Sequence, residues 1–587
     1  MNIETNKLIY RHFNCVVARS SENYSIITKY GVFTDACVPS EVVEILETLA
    51  LNPSQINRTF HKSWSNILGS TRRNLVLQQI AHYISGYGSN FTDELYIPEE
   101  VLDMPGFTGL SLRFIGAVPA ATVEFLITET LQSATPMKQE TIKDYIAILQ
   151  TLGTDFYDLV PLISNYEARM LVMDSIGMSP SDPTEVLRFV VYKATGSTLL
   201  IKDLKTINTI SMENSYNPKP IFEKAGLAKM AEVFNRFKPI FLSFKPQCPS
   251  TINRIAKLSK KYHKPLVENP LNTATSKLIA SDQMHWLKNS STPVLLKALN
   301  AIYLYLNKSD NTRFYKIRNG KTWVTTKELK EPTFDARINY SYILGMLKDR
   351  VRGTGRKVYI PSNVKYGLPI SEKSFVGNIP DGTTISAPRL AVGVYWENKG
   401  GASDLDVSAT NIDGKIGWNS KYSDTLIYSG DITNAPEGAV EYMYAPDENF
   451  PSSLIDVTVY NGSETPEYNI IVGEGDDIDK NYMMNPDKVL YSTPTKGVQR
   501  SMMLGLLERT EGKCSFTIMN RGAGNRNIST PDGSGNYINA LISRYHNSLT
   551  LNDILGILGF DIVDTPSHDA IDLSLNRMSK DILNLLK

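Results

Sequence analysis

Near residue 310 the spacing of apolar residues changes period, and that change limits what the chain can fold into. Before it, apolar residues recur at helical spacing. In "TPMKQETIKDYIAILQTLG" Ile142, Tyr145, Ile146, Leu149 and Leu152 share one face. Thr135 is a predicted cap, Pro136 suits the first turn and Gly153 the stop. "LAKMAEVFNRF" repeats the pattern with Leu227, Met230, Ala231, Phe234 and Phe237 until Pro239 ends it. "TPVLLKALNAIYLYL" does so with Leu295, Leu299, Ile302 and Leu306. These stripes predict helix–helix core. After residue 310 the runs are short, β-branched or aromatic, and punctuated by Gly, Pro and Asn: "TRFYKIRNGKTWVTTKEL", "RKVYIPSNVKYGLPI", "RLAVGVYWEN", "GKIGWNS", "DTLIYSGD", "AVEYMYA", "SLIDVTVYNG", "YNIIVGEG" and "CSFTIMNRG". Many short strands at close spacing predict a sandwich. "TPDGSGN" (530–536) reads as a linker, and "LTLNDILGILG" and "LSLNRMSKDILNLLK" return to helix.

The predicted class is therefore α+β: a mostly helical N-terminal region, an antiparallel β-sandwich and a short helical C-terminal tail. The expected divisions are a helical domain over 1–155, a second helical region over 156–310, a β-rich connecting segment over 311–384, the sandwich over 385–530 and the tail over 537–587. A length of 587 residues is consistent with several domains. The 61 basic and 61 acidic residues balance, so composition carries no specific nucleic-acid signal and no pull toward an acidic membrane. Cys15, Cys37, Cys248 and Cys514 form no CxxC and read as reduced thiols. "MNIETNKLIYRHFNC" is too polar for a signal peptide. The most apolar stretch, "GLSLRFIGAVPAATVEFLITETL", is broken by Arg113, Pro119 and Glu124, so no transmembrane segment is predicted. The expected location is cytoplasmic, or a virion if the chain belongs to a particle.

Most familiar chemistries fail on spacing. Asn319-Gly320-Lys321-Thr322 ends like a phosphate loop, but Tyr315 stands where the leading glycine belongs, and the flanks read strand–turn–strand. His12, His61, His82, His263, His285, His546 and His568 show no HxxxH or HExxH pairing, so no zinc site is predicted. No local Cys–His pairing suggests a nucleophile. "GEGDDID" (473–479), with Glu474, Asp476, Asp477 and Asp479, reads as a solvated loop.

"GGASDLDVSATNIDG" (400–414) is the most suggestive stretch. As an EF-hand loop it fits at Asp404 and Asp406 but fails at Ala409, where Gly is needed, and at Lys415, where Glu is needed. Asp406-Val407-Ser408-Ala409-Thr410 also matches the DxSx[ST] pattern of adhesion-type metal sites, which require a buried parallel strand leading in; "ENKGGAS" reads as a loop instead.

The surroundings support a third reading. A strand with Trp396 leads to DLDVS. Ser429-Gly430-Asp431 follows, and then an acidic stretch with Glu437 and Glu441. This arrangement resembles the TerD-type domain of tellurite-resistance and general stress proteins, clearly over about 385–520 and faintly elsewhere. The resemblance implies a β-sandwich binding Ca²⁺ through aspartate-rich loops. Asp404 and Asp406 match the DLD aspartates, Asp431 matches the SGD aspartate, and Glu441 stands near the family's later acidic ligand. Where simple members carry a dense acidic run after SGD, this chain has "NAPEGAVEY", so at least one acidic ligand is lost. Either a cation is held here or the acidic residues form turns. Larger bacterial relatives of unassigned function end in such a domain, and some carry a RING-type zinc insertion; the cysteine pairs for that are absent here. The implied function is a non-enzymatic stress-response or interaction protein with protein partners or self-assembly. The alternative expectation is a structural component of a phage particle or other large assembly.

Overall fold

The computed structural model describes residues 3–13, 15–17, 26–27, 32–34, 113–213, 215–262, 287–307, 312–316, 322–326, 331–398, 403–417, 425–433, 438–446, 449–461, 467–475, 488–496, 501–510, 512–522, 531–567 and 569–575, and positions 42, 435 and 585. The protein is a mixed α+β chain with antiparallel sheets. It divides into two compact units, residues 1–8 with 120–272 and residues 9–119 with 273–587.

The first unit is helical. Helix α1 (Gln139–Leu152) starts later than its sequence suggests: Lys138 is the cap residue, and the Thr135 carbonyl instead accepts from Asn165. Its stop is as expected. Gly153 takes φ 79°, a left-handed conformation, and the Thr154 N–H closes back on the Leu149 carbonyl. Helix α2 (Pro183–Thr195) begins with Pro183 in its first turn, and the Asp182 carboxylate accepts from the N–H groups of Thr184 and Glu185. In α3 (Leu227–Phe234) the predicted stripe faces inward, with Met230, Ala231 and Phe234 buried. Pro239 does more than end it, because it opens the next helix, α4 (Lys238–Ser243). Together with α5 (Pro249–Leu258) these helices enclose Phe222, Phe234, Phe241 and Phe244. Each such ring contributes about 1.5–3 kcal/mol on burial.

In the second unit α6 (Thr292–Leu306) packs on α7 (Phe334–Arg350). The strand-rich pattern after residue 310 gave no hint of α7. Its buried positions, Ala336, Asn339, Ile343 and Leu347, do recur at helical spacing, but a buried Asn hides the stripe. The antiparallel pair Thr312–Lys316 and Thr322–Thr326 flanks the rejected phosphate-loop tail, whose residues 317–321 lie outside the described residues.

Two antiparallel sheets follow. Their strands are β1 (Val364–Lys365), β2 (Thr384–Ala387), β3 (Leu390–Trp396), β4 (Asp404–Asn411), β5 (Gly414–Ile416), β6 (Ile427–Tyr428), β7 (Ala439–Ala445), β8 (Ser453–Asn461), β9 (Glu467–Glu474), β10 (Val489–Lys496), β11 (Ser501–Thr510) and β12 (Lys513–Gly522). One sheet runs β5-β4-β8-β11-β12-β2-β1 and the other β6-β7-β3-β9-β10. They meet face to face in a sandwich-like arrangement, with β4 against β7 and β3 near β12. Strand β11, central in the larger sheet, has no alternation to reveal it, because Met502 to Glu508 are all buried. The stretch expected as a linker begins a helix, α8 (Pro531–His546), whose Ile538 and Leu541 pack on Leu454, Met503, Leu506 and Met519. Apolar packing of its second half outweighs the poor helix propensity of its glycines.

The tail also departs from expectation. Helix α9 (Leu551–Ile557) forms with a Thr550–Asp553 capping box. Beyond it, Asp561–Val563 and Ala570–Asp572 are strands, both parallel to Lys357–Tyr359. Most of "LSLNRMSKDILNLLK" lies outside the described residues.

Candidate metal centre

Asp404 and Asp406 stand in a strand rather than on a loop. Because side chains alternate along a strand, residues two apart share a face, and that alone puts both carboxylates on one side of β4. Strand β4 pairs antiparallel with β8 on one side and with β5 on the other. No parallel strand leads in, so the adhesion-type reading fails. Asp406 and Thr410 also lie about 13 Å apart along the extended backbone, too far to share an ion.

Each residue of Ser429-Gly430-Asp431 has a separate task. The Ser429 N–H donates to the Tyr442 carbonyl, and its Oγ accepts from the Tyr442 N–H at 3.0 Å, which pins the segment to β7. Gly430 takes φ 110°, a region closed to other residues without strain. That turn carries Asp431 to the two β4 aspartates. One oxygen from each of Asp404, Asp406 and Asp431 lies within 4.8 Å of the others. Oxygens bound to one Ca²⁺ at about 2.3–2.6 Å stand no more than about 5.2 Å apart, so the three fit a single coordination sphere. The exposures of the three residues are only 2%, 4% and 5%.

Glu441 is placed differently. It is fully buried, and its carboxylate meets three donors: the Val407 N–H and the Tyr428 hydroxyl on Oε2, at 2.8 and 2.9 Å, and the Ile432 N–H on Oε1 at 2.8 Å. Strand β5 ends at Ile416 opposite Ala409, so the next N–H on that edge of β4, that of Val407, has no strand to meet. Glu441 takes it. Val407 follows Asp406 and Ile432 follows Asp431, so one carboxylate fixes the backbone beside two of the three clustered aspartates. A second tie precedes the site. The Trp396 indole donates to the Ser403 carbonyl at 2.8 Å, and Asn398 Oδ1 accepts from the N–H groups of Ser403 and Ala435. The roles of Tyr428 and Asn398 had no signal in the sequence, since single polar residues in strand ends are common.

The electrostatics follow from burial without a cation. Desolvation, then the carboxylates of Asp404 and Asp431, push Asp406 up to about 8, with Lys415 a weaker opposing influence. Asp431 rises to about 7 from desolvation and then Asp404. Glu441 is raised well above the usual range by burial and then Asp431 and Asp406, against the pull of its two backbone donors. Tyr428 is likewise raised, by burial first and then Glu441. Asp431 Oδ1 is buried and accepts no hydrogen bond among the described residues.

The chain matches no family model, no curated protein and no solved structure. Its functional reading therefore rests on its own residues. Glu437 and residues 476–479 of "GEGDDID" lie outside the described residues. Cys15, Cys248 and Cys514 are buried and form no disulfide among the described residues, and Cys37 lies outside them. Among the described residues no helix is long and apolar enough to cross a membrane.

Proposed function

We propose that residues 385–530 form a TerD-like sandwich that binds one Ca²⁺ through Asp404, Asp406 and Asp431. In this reading the protein acts by binding, in a stress-response or interaction role, and not by catalysis. One observation carries it: three buried carboxylates converge, no lysine or arginine stands among them within the described residues, and Asp431 Oδ1 accepts no hydrogen bond there. Buried charges are ordinarily paired or hold a metal. Glu441 then acts as a support for two ligand-bearing segments instead of the fourth ligand its sequence position implies. Ca²⁺ would link β4 of one sheet to the segment after β6 of the other and stiffen the surface around them.

Titration calorimetry of the full-length protein tests this. Ca²⁺ is expected to bind one site, with Mg²⁺ weaker, and to raise the melting temperature. Asp406→Asn is expected to remove both effects. No heat and no thermal shift at millimolar Ca²⁺ would refute it.

A second reading, a component of a large assembly, has its own observation. The helical unit leaves Phe125, Tyr157, Leu162 and Tyr166 more than half exposed, at 59%, 64%, 56% and 58%. Light scattering on the purified protein separates the two: particles or concentration-dependent oligomers favour assembly, and a monomer up to high concentration excludes it.

A further inference from the structure

The zero net charge of the chain hides a local imbalance. Residues 120–198 hold five Lys and Arg against ten Asp and Glu, whereas residues 199–261 hold twelve against four. The excess gathers at α5 and the turn after it. Arg254, Lys257, Lys260 and Lys261 line a shallow concavity of about 620 Å³, with Leu258 as its apolar member. All four cations are exposed. None of them forms an ion pair or side-chain hydrogen bond among the described residues, and Lys261 lies only over the Tyr262 ring, 5.1 Å from its centroid. Among the described residues no carboxylate lines the concavity.

The framework beneath is rigid. Thr251, Ile252 and Ile255 are buried on the other side of α5, so the helix cannot turn its basic side inward. The Asn235 side chain donates to the carbonyls of Ser259 and Tyr262, which fixes the turn bearing Lys260 and Lys261. Arg254, Lys257 and Lys261 follow one another at helical spacing, so their charges form a row along one side.

We propose that this row is a docking site for the phosphodiester backbone of a nucleic acid, read by charge and not by sequence. The concavity is far larger than a lone phosphate requires, and four uncompensated cations suit a repeating anion. The side chains that anchor protein interfaces are aromatic or Arg-centred clusters, with Lys depleted; this face is lysine-rich and presents no exposed large apolar residue. A membrane-surface site would want an exposed apolar wedge beside the charges, and α5 offers only the half-buried Leu258. No base-edge reader is needed, because phosphate contacts alone give non-specific binding.

The test is fluorescence anisotropy of the full-length protein with a labelled mixed-sequence single strand and its duplex. Binding is expected at low salt irrespective of sequence. Four phosphate contacts give a salt slope of about −3 on a single strand, so affinity should fall roughly fifty-fold between about 50 and about 200 mM salt. The quadruple variant Arg254→Gln, Lys257→Gln, Lys260→Gln, Lys261→Gln should lose at least about tenfold at the lower salt, with its melting curve unchanged. Lys257→Arg, Lys260→Arg, Lys261→Arg should retain binding. Lys219→Gln, Lys224→Gln, Lys229→Gln, which removes charge elsewhere in the same unit, should bind as the parent does. The proposal is overturned if no oligonucleotide binds at low salt. It is equally overturned if the control triple variant loses as much as the quadruple one, or if phosphatidylserine vesicles bind while oligonucleotides do not.

Discussion

The helical unit and the region around β4 and β7 bury acidic residues in opposite ways. In the helical unit Glu185 is bound by the Arg169 guanidinium, and Glu167 lies 3.6 Å from Arg188 while accepting from the Thr198 hydroxyl. The charge is compensated within the unit. Around β4 and β7 four carboxylates are buried together, and no basic residue lies among them within the described residues. The first arrangement is complete as folded. The second leaves Asp431 Oδ1 buried with no hydrogen bond among the described residues. The same sequence thus contains a structural solution to a buried charge and an unfinished one, and the unfinished one is where ligand chemistry is to be sought.

Substitutions at both places sharpen the contrast. The largest effect is expected from Glu441→Ala, which strands the N–H groups of Val407 and Ile432 and the Tyr428 hydroxyl in the interior. A loss of about 3–5 kcal/mol, read by urea denaturation, is expected. Arg169→Ala comes next. It leaves Glu185 buried and unpaired and should lose about 3 kcal/mol, largely restored by adding Glu185→Gln. Gly430→Ala forces a side chain into a left-handed turn, at about 1–3 kcal/mol, and should weaken Ca²⁺ binding by displacing Asp431.

Asp406→Asn is the decisive comparison. Removing a partner from the helical pair destabilises. Removing one carboxylate from the β4 cluster relieves repulsion and should stabilise the cation-free protein by about 1 kcal/mol, a few degrees in melting temperature. Destabilisation without Ca²⁺ would break the contrast. A pH profile tests the same cluster. Asp406 and Asp431 are raised in the folded state, to about 8 and about 7, so the folded protein holds more protons than the unfolded chain above about pH 4. Without a cation, stability should fall as pH rises from there through about 8. The melting shift given by Ca²⁺ should grow over the same range, because the ligands must lose protons to bind. A Ca²⁺ shift independent of pH would contradict this.

Legibility in the sequence followed the local or non-local origin of each feature. The stripes at Ile142–Leu149 and Met230–Phe234 were legible because helical periodicity is local. So was Gly153, since a left-handed helix stop asks for glycine wherever it occurs. Strand β7 was legible as "AVEYMYA". Strand β11 was not, because both its faces are covered and "MMLGLL" has no alternation to read. The linker reading of "TPDGSGN" failed for a related reason: propensity spoke for a loop, and packing of Ile538 and Leu541 decided for a helix.

At the candidate centre the division is the same. The sequence by itself determined which groups could hold a cation, because DLD and SGD supply hard oxygen donors and a glycine that only a special turn requires. The period of two within a strand also placed Asp404 beside Asp406. Only the tertiary structure decided that Asp431 meets them and that Glu441 meets the donors of Val407, Ile432 and Tyr428. It alone decided, too, that no basic side chain stands among the four within the described residues. Those outcomes depend on how two sheets approach each other, and the order of residues along one strand carries no record of what faces it from another.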